Sequence, residues 1–241
     1  MPRPPHTFRN ASRRDLRAER DLQKLGIAQK DKAAVERAWA VEVARAATIE
    51  DAFYNYIEAC CGKAGASQIT RAIDAWIADS WTPLSVRMQG ALAALGAPGS
   101  LPRRSGLTYE SENWQKGYED PGLQRLVREV YLITQAVLKA RGLRSVVLYR
   151  GLRTNDSVEM GETRSFPSRP LTSWTTSKGV AQRFSQVHQV DSGRTGVVIE
   201  ARVPASSIFL APEMIGGSGY TQQEREYILL GNRRARIVSV W

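Results

Sequence analysis

The sequence predicts an α+β fold, with a helical N-terminal region followed by a mainly antiparallel β-rich region. Three observations predict it. Apolar residues recur at helical spacing from about residue 12 to residue 140. After Gly142 the texture changes to short β-branched and aromatic runs separated by Gly, Pro, Ser and Asn. Those runs follow one another with one clear helix among them, which favours antiparallel pairing over alternating βαβ units.

Taken in order, residues 1–10 are Pro-rich and basic and are expected to be disordered. Ser12 can cap a first helix carrying Leu16, Leu22 and Leu25, which Gly26 interrupts. A second helix runs from about Asp31, with Val35, Trp39 and Val43 on one stripe. Asp51 to Cys61 continues with Phe53, Tyr54 and Ile57, and Gly62 and Gly65 are read as its break. Ser67 to Asp79 is amphipathic, with Ile69, Ile73, Trp76 and Ile77 on one face. Pro83 opens another helix, which Gly96, Pro98 and Gly99 end.

Residues 96–106 are rich in Gly, Pro and Arg, and so divide a helical region, 1–106, from a second domain, 107–241. That domain opens on a long helix from about Pro121 to Ala140, whose stripe is Leu123, Leu126, Val127, Val130, Ile133 and Val137. Strands are expected at 146–149, 196–199, 208–210, 227–230 and 236–240, with a helix from Ser177 to about Val187.

Composition narrows the chemistry. No apolar run approaches the ~20 residues of a membrane helix, and no secretory signal opens the chain, so the expected site of action is the cytoplasm of a host or target cell. His6 and His188 are the two histidines, which argues against Ser-His-Asp triads and multi-His metal sites. Cys60 and Cys61 are adjacent, too strained for a relaxed disulfide and too few for zinc, and no metal is expected. The net charge of +10 suits an anionic partner such as nucleic acid, an acidic protein or a phosphate-bearing cofactor.

Three segments carry chemistry. In Val146-Val147-Leu148-Tyr149-Arg150-Gly151-Leu152 a strand ends in an arginine, whose planar fork of donors suits phosphate, and a glycine that lets a ligand approach the backbone. In Leu171-Thr172-Ser173-Trp174-Thr175-Thr176-Ser177 a hydroxyl-rich strand and turn feed a helix bearing Val180, Ala181 and Phe184; Ser177 is that helix's candidate cap. In Glu224-Arg225-Glu226 two carboxylates precede the apolar run Tyr227-Ile228-Leu229-Leu230. In extended chain they share a face, about 6–7 Å apart, and suit acid–base chemistry or stabilisation of a sugar cation. No strand leads into a Gly-x-Gly-x-x-Gly turn and no Gly-Lys-Ser/Thr loop occurs, which disfavours a Rossmann or P-loop site.

The order of these segments resembles the Arg-Ser-Glu branch of the ADP-ribosyltransferases, the cholera-toxin-like and arginine-specific group that includes free-standing bacterial and phage effectors. The resemblance covers about residues 107–241. Arg150-Gly151 matches the first-strand motif, Ser173-Trp174-Thr175 stands at the Ser-Thr-Ser motif with two of its three positions altered, and Glu224-Arg225-Glu226 matches Glu-x-Glu.

The resemblance implies a two-sheet fold around a cleft that binds NAD as a substrate. It implies catalytic roles for Arg150, Ser173, Glu224 and Glu226, and NAD contacts from Arg150, Gly151, Leu152, Ser173, Thr175, Phe184 and Glu226. Ser173 would orient Glu226, and Glu226 would stabilise the cationic ribose as nicotinamide leaves. Glu224 would face the acceptor, most simply a protein arginine, because a carboxylate can pair with a guanidinium and help remove its proton. The alternatives are a nucleic-acid acceptor, NAD hydrolysis without transfer, and a non-catalytic nucleic-acid-binding or virion protein on the same fold. An inhibitor or immunity protein is a further candidate partner, and no membrane partner is expected.

Overall fold

The computed structural model describes residues 29–78, 80–97, 108–166, 169–186, 194–214, 225–231 and 234–241. The N-terminal tail, the Ser12 cap and first helix, His188 and Glu224 lie outside the described residues.

Helix α1 (Gln29–Arg45) buries Val35 and Trp39. Val43, expected on the same stripe, is exposed. Helix α2 (Ile49–Ala78) joins two stretches that the sequence separates. Gly62 does interrupt the helical path, with φ 74°, but Gly65 stays within the helix. A lone helical glycine costs only about 1 kcal/mol, and Phe53, Ile57, Ile69 and Ile73 are fully buried on either side of the kink.

Helix α3 (Pro83–Ala94) starts where Pro83 predicts, with Thr82 Oγ1 accepting from the Ser85 amide at 3.2 Å. Helix α4 (Thr108–Tyr118) is not anticipated by periodicity. Its polar sequence has no apolar stripe, and it packs through backbone instead. A Cβ on Gly90 would meet the Trp114 carbonyl oxygen at 2.2 Å, and one on Gly117 would meet the Arg87 carbonyl oxygen at 2.0 Å. The expected boundary near residue 106 thus falls between two closely packed helices. One hydrophobic core runs from Val35 through to Ile237.

Helix α5 (Pro121–Ala140) is capped by Asp120, whose Oδ1 accepts from the Leu123 amide at 2.9 Å, and Gly142 follows with φ 66°. Its predicted stripe is buried. It ties the helices to the sheet: Thr134 donates to the Phe209 carbonyl at 2.8 Å and Tyr131 to the Ser206 carbonyl at 3.0 Å.

Among the described residues seven strands follow: β1 (Ser145–Thr154), β2 (Thr163–Ser165), β3 (Leu171–Thr175), β4 (Thr195–Pro204), β5 (Ile208–Leu210), β6 (Glu226–Leu230) and β7 (Arg234–Val240). Helix α6 (Lys178–Gln186) lies between β3 and β4 in the chain, and the fold is α+β as expected. The order across the sheet is β2-β7-β4-β1-β3-β6-β5, and every described pairing is antiparallel. The middle is its weak seam. β1 pairs with β4 along its whole length but with β3 at one position, Tyr149 opposite Thr175. Two sheet halves therefore meet at a single residue pair. Among the described residues no helix is long and apolar enough to cross a membrane.

Candidate active site

The seam between the halves positions the site. Directly opposed residues on antiparallel strands put their side chains on the same face. The registers Tyr149 with Glu200, Tyr149 with Thr175, and Thr175 with Glu226 therefore set four side chains in one row across β4, β1, β3 and β6. Tyr149, Thr175 and Glu226 line a cleft of about 260 Å³. Ser173, two residues from Thr175 along β3, points to the same side. Val180, Ala181 and Phe184 of α6 form one wall, and Trp76, Ile77 and Ser80 of the helical region form the other. Arg169 and Arg150 also border it.

Glu226 is buried at the first position of β6. Arg225 before it is exposed with φ 46°, a left-handed conformation uncommon outside glycine. The extended geometry therefore begins at Glu226, and the expectation that residues 224 and 226 share a strand face falls on a residue outside those described. Glu224 itself lies outside the described residues.

Ser173 and Glu226 are not joined directly. Ser173 stands opposite Ile228, two residues along the ladder from the Thr175–Glu226 pair. The indole N–H of Trp76 fills the gap, donating to Ser173 Oγ at 3.0 Å and to Glu226 Oε1 at 3.3 Å. Direct orientation of Glu226 by Ser173 is replaced by a bridged arrangement.

Arg150 lies where β1 and β3 part. Its side chain alternates away from the row of Tyr149 and reaches both the Glu226 cleft and a neighbouring cavity of about 420 Å³ lined also by Leu152, Thr172 and Trp174. Among the described residues its guanidinium has no carboxylate partner, and desolvation alone lowers its pKa to about 10. It stays charged at neutral pH, and no carboxylate among the described residues offsets its desolvation. Tyr149 differs: a hydrogen bond to the Glu200 carboxylate raises its pKa, with burial adding to the effect, so it remains a neutral phenol.

The other predicted residues divide. Phe184 is half exposed at the cleft edge, and Thr175 is buried at its floor, with Oγ1 accepting from the Ser177 amide at 3.0 Å. Ser177 is the helix cap, its Oγ accepting from the Val180 amide at 3.3 Å. Leu152 lines the neighbouring cavity and not the Glu226 cleft. Gly151 borders the cleft, but a Cβ there would meet the Ala181 carbonyl oxygen at 1.9 Å and the Ser185 amide nitrogen at 2.7 Å. Close packing of α6 on β1, more than ligand approach, is what requires glycine at this position.

Trp76 and Arg169 are missed by sequence reasoning. Trp76 reads as one of several core residues on an amphipathic helix, and its partners are 97 and 150 positions away. Arg169 belongs to no motif. Among the described residues no group of metal-ligating side chains clusters. Comparison with known protein families, curated proteins and solved structures returns no match.

Proposed function

We propose that this chain cleaves NAD at the nicotinamide ribose and transfers ADP-ribose to a target macromolecule, with a protein arginine as the acceptor. The observation that carries the reading is that a buried carboxylate, Glu226, and a guanidinium with no carboxylate partner among the described residues, Arg150, line one cleft. NAD matches both: its ribose becomes cationic as the glycosidic bond breaks, and its pyrophosphate is anionic.

Glu226 stabilises the oxocarbenium-like ribose, as carboxylates do in glycoside cleavage. Burial strengthens that interaction relative to water. Arg150 holds the pyrophosphate, and the anion relieves the cost of keeping the guanidinium desolvated. Phe184 offers an aromatic surface at the cleft edge for the nicotinamide ring. The motif order along the chain and the α+β architecture support the reading, although the described strands form one seven-stranded sheet and not the two that the resemblance implies. The preference for an arginine acceptor rests on Glu224, as the carboxylate that would pair with the incoming guanidinium.

A nucleic-acid acceptor is the second reading, favoured by the net charge of +10. Incubation with labelled NAD and a bacterial lysate, followed by protease or nuclease digestion, tests both. Label lost on protease treatment supports the protein acceptor, label lost on nuclease treatment supports the second reading, and no transferred label overturns transfer.

A further inference from the structure

We propose that Trp76 is a positioning residue for this reaction: its indole N–H bridges Ser173 and Glu226 and fixes the Glu226 carboxylate toward the cleft. The helical region is then part of the catalytic unit. The proposal rests on the NAD-cleavage reading above.

The geometry is specific. One buried donor is shared between two acceptors, at 3.0 Å and 3.3 Å, and those acceptors come from two different chemistry-bearing segments. A Trp placed for packing alone needs one acceptor for its N–H, and a buried carboxylate is a costly one to choose. Ser173 and Glu226 stand on neighbouring strands two residues apart in register, and the Trp76 N–H is the donor they share.

The donor is also held in place from outside α2. Arg169, two residues before β3, donates to both the carbonyl and the hydroxyl oxygen of Ser80 at 3.0 Å each. Its guanidinium lies 3.2 Å over the ring of Trp81. The turn that ends α2 is thereby clamped to the strand bearing Ser173, and Trp76 with it. The indole N–H restrains Oε1 of Glu226 before any ligand arrives, a contribution to the preorganisation that electrostatic catalysis needs.

Two substitutions separate positioning from packing. Trp76→Phe keeps most of the bulk and removes the N–H. Trp76→His loses the benzo ring but places imidazole Nε2, two bonds from Cγ, where indole Nε1 stood. Nicotinamide release from NAD by the full chain is the readout. Positioning predicts that Trp76→Phe lowers kcat on the order of 10- to 100-fold with KM within about twofold, the range for a hydrogen bond to a charged group, and that Trp76→His is the faster variant. A packing role predicts the reverse order; that order, or a Trp76→Phe enzyme with wild-type kcat, overturns the proposal.

A second measurement needs no turnover and no folded Trp76 variant. The Trp76 indole N–H resonance of the ¹⁵N-labelled protein should shift in both Ser173→Ala and Glu226→Gln, and a resonance unmoved by either overturns the bridge. An inactive wild type overturns the NAD reading, and the catalytic role of Trp76 with it. An active wild type whose Phe variant outperforms His overturns the role of Trp76 alone.

Discussion

Replacing Arg150 with methionine should make the protein more stable and less able to bind NAD. The guanidinium is deep enough that desolvation lowers its pKa well below the ordinary arginine value, to about 10. At about 1.4 kcal/mol per pH unit, a depression of that size corresponds to roughly 3 kcal/mol. Contact with solvent through the two cavities screens part of it, so about 1–3 kcal/mol is the expected gain. For a chain of this size that is roughly a 3–10 °C rise in melting temperature. Methionine retains the unbranched stem and leaves no stranded counter-charge behind, because none of the described residues pairs with Arg150.

The pH dependence has a definite sign. The folded-state pKa is depressed for a base, so the penalty is fully present below pH 10, and stability attributable to this group is regained as pH rises through and above that value. The two proteins should therefore differ in stability by a constant amount through neutral pH. Differential scanning calorimetry gives the melting temperatures, and calorimetric titration with NAD and inorganic pyrophosphate gives the affinities. A pyrophosphate-dependent rise in melting temperature is expected for the wild type and not for Arg150→Met. A variant that melts below the wild type, or binds NAD equally well, would refute the assignment of Arg150 as a destabilising cation kept for an anionic ligand.

Further outcomes follow from the same geometry. Gly151→Ala should destabilise the chain by several kcal/mol or displace α6, since its Cβ would meet the Ala181 carbonyl oxygen at 1.9 Å; a thermal melt checks this, and a wild-type melting temperature contradicts it. Ser173→Ala should lower kcat for nicotinamide release about tenfold or more with little change in melting temperature, because Ser173 is only half-buried and its mapped partner is the Trp76 indole. Glu224→Gln should lose transfer to arginine while keeping slow NAD hydrolysis, read by comparing labelled protein with released nicotinamide; equal loss of both would remove the acceptor role.

Much of the fold was legible because it follows local rules. The stripe Leu123 to Val137, the Pro83 start and the Ser177 cap are set by period and by backbone donors needing acceptors, and the structure has each of them. Helix α4 was not legible, because it packs by glycine against backbone at Gly90 and Gly117, a contact that leaves no apolar pattern. The same holds at Gly151, where a glycine beside an arginine reads as a ligand contact yet serves helix packing. In the site, Ser173, Thr175, Phe184 and Glu226 could be found because they lie in short segments with distinctive order. Trp76 and Arg169 could not, because what brings them to the cleft is the packing of α2 and its following turn against β3, which no local spacing encodes.

The most direct test of the central claim is nicotinamide release from NAD by the wild-type chain, measured by chromatography beside Glu226→Gln. Glutamine keeps the size and a hydrogen-bonding oxygen at the start of β6 while removing the negative charge. Release by the wild type, with loss of at least about 100-fold in Glu226→Gln, is the result the account predicts. No release by the folded wild type, or equal release by the two proteins, would contradict it.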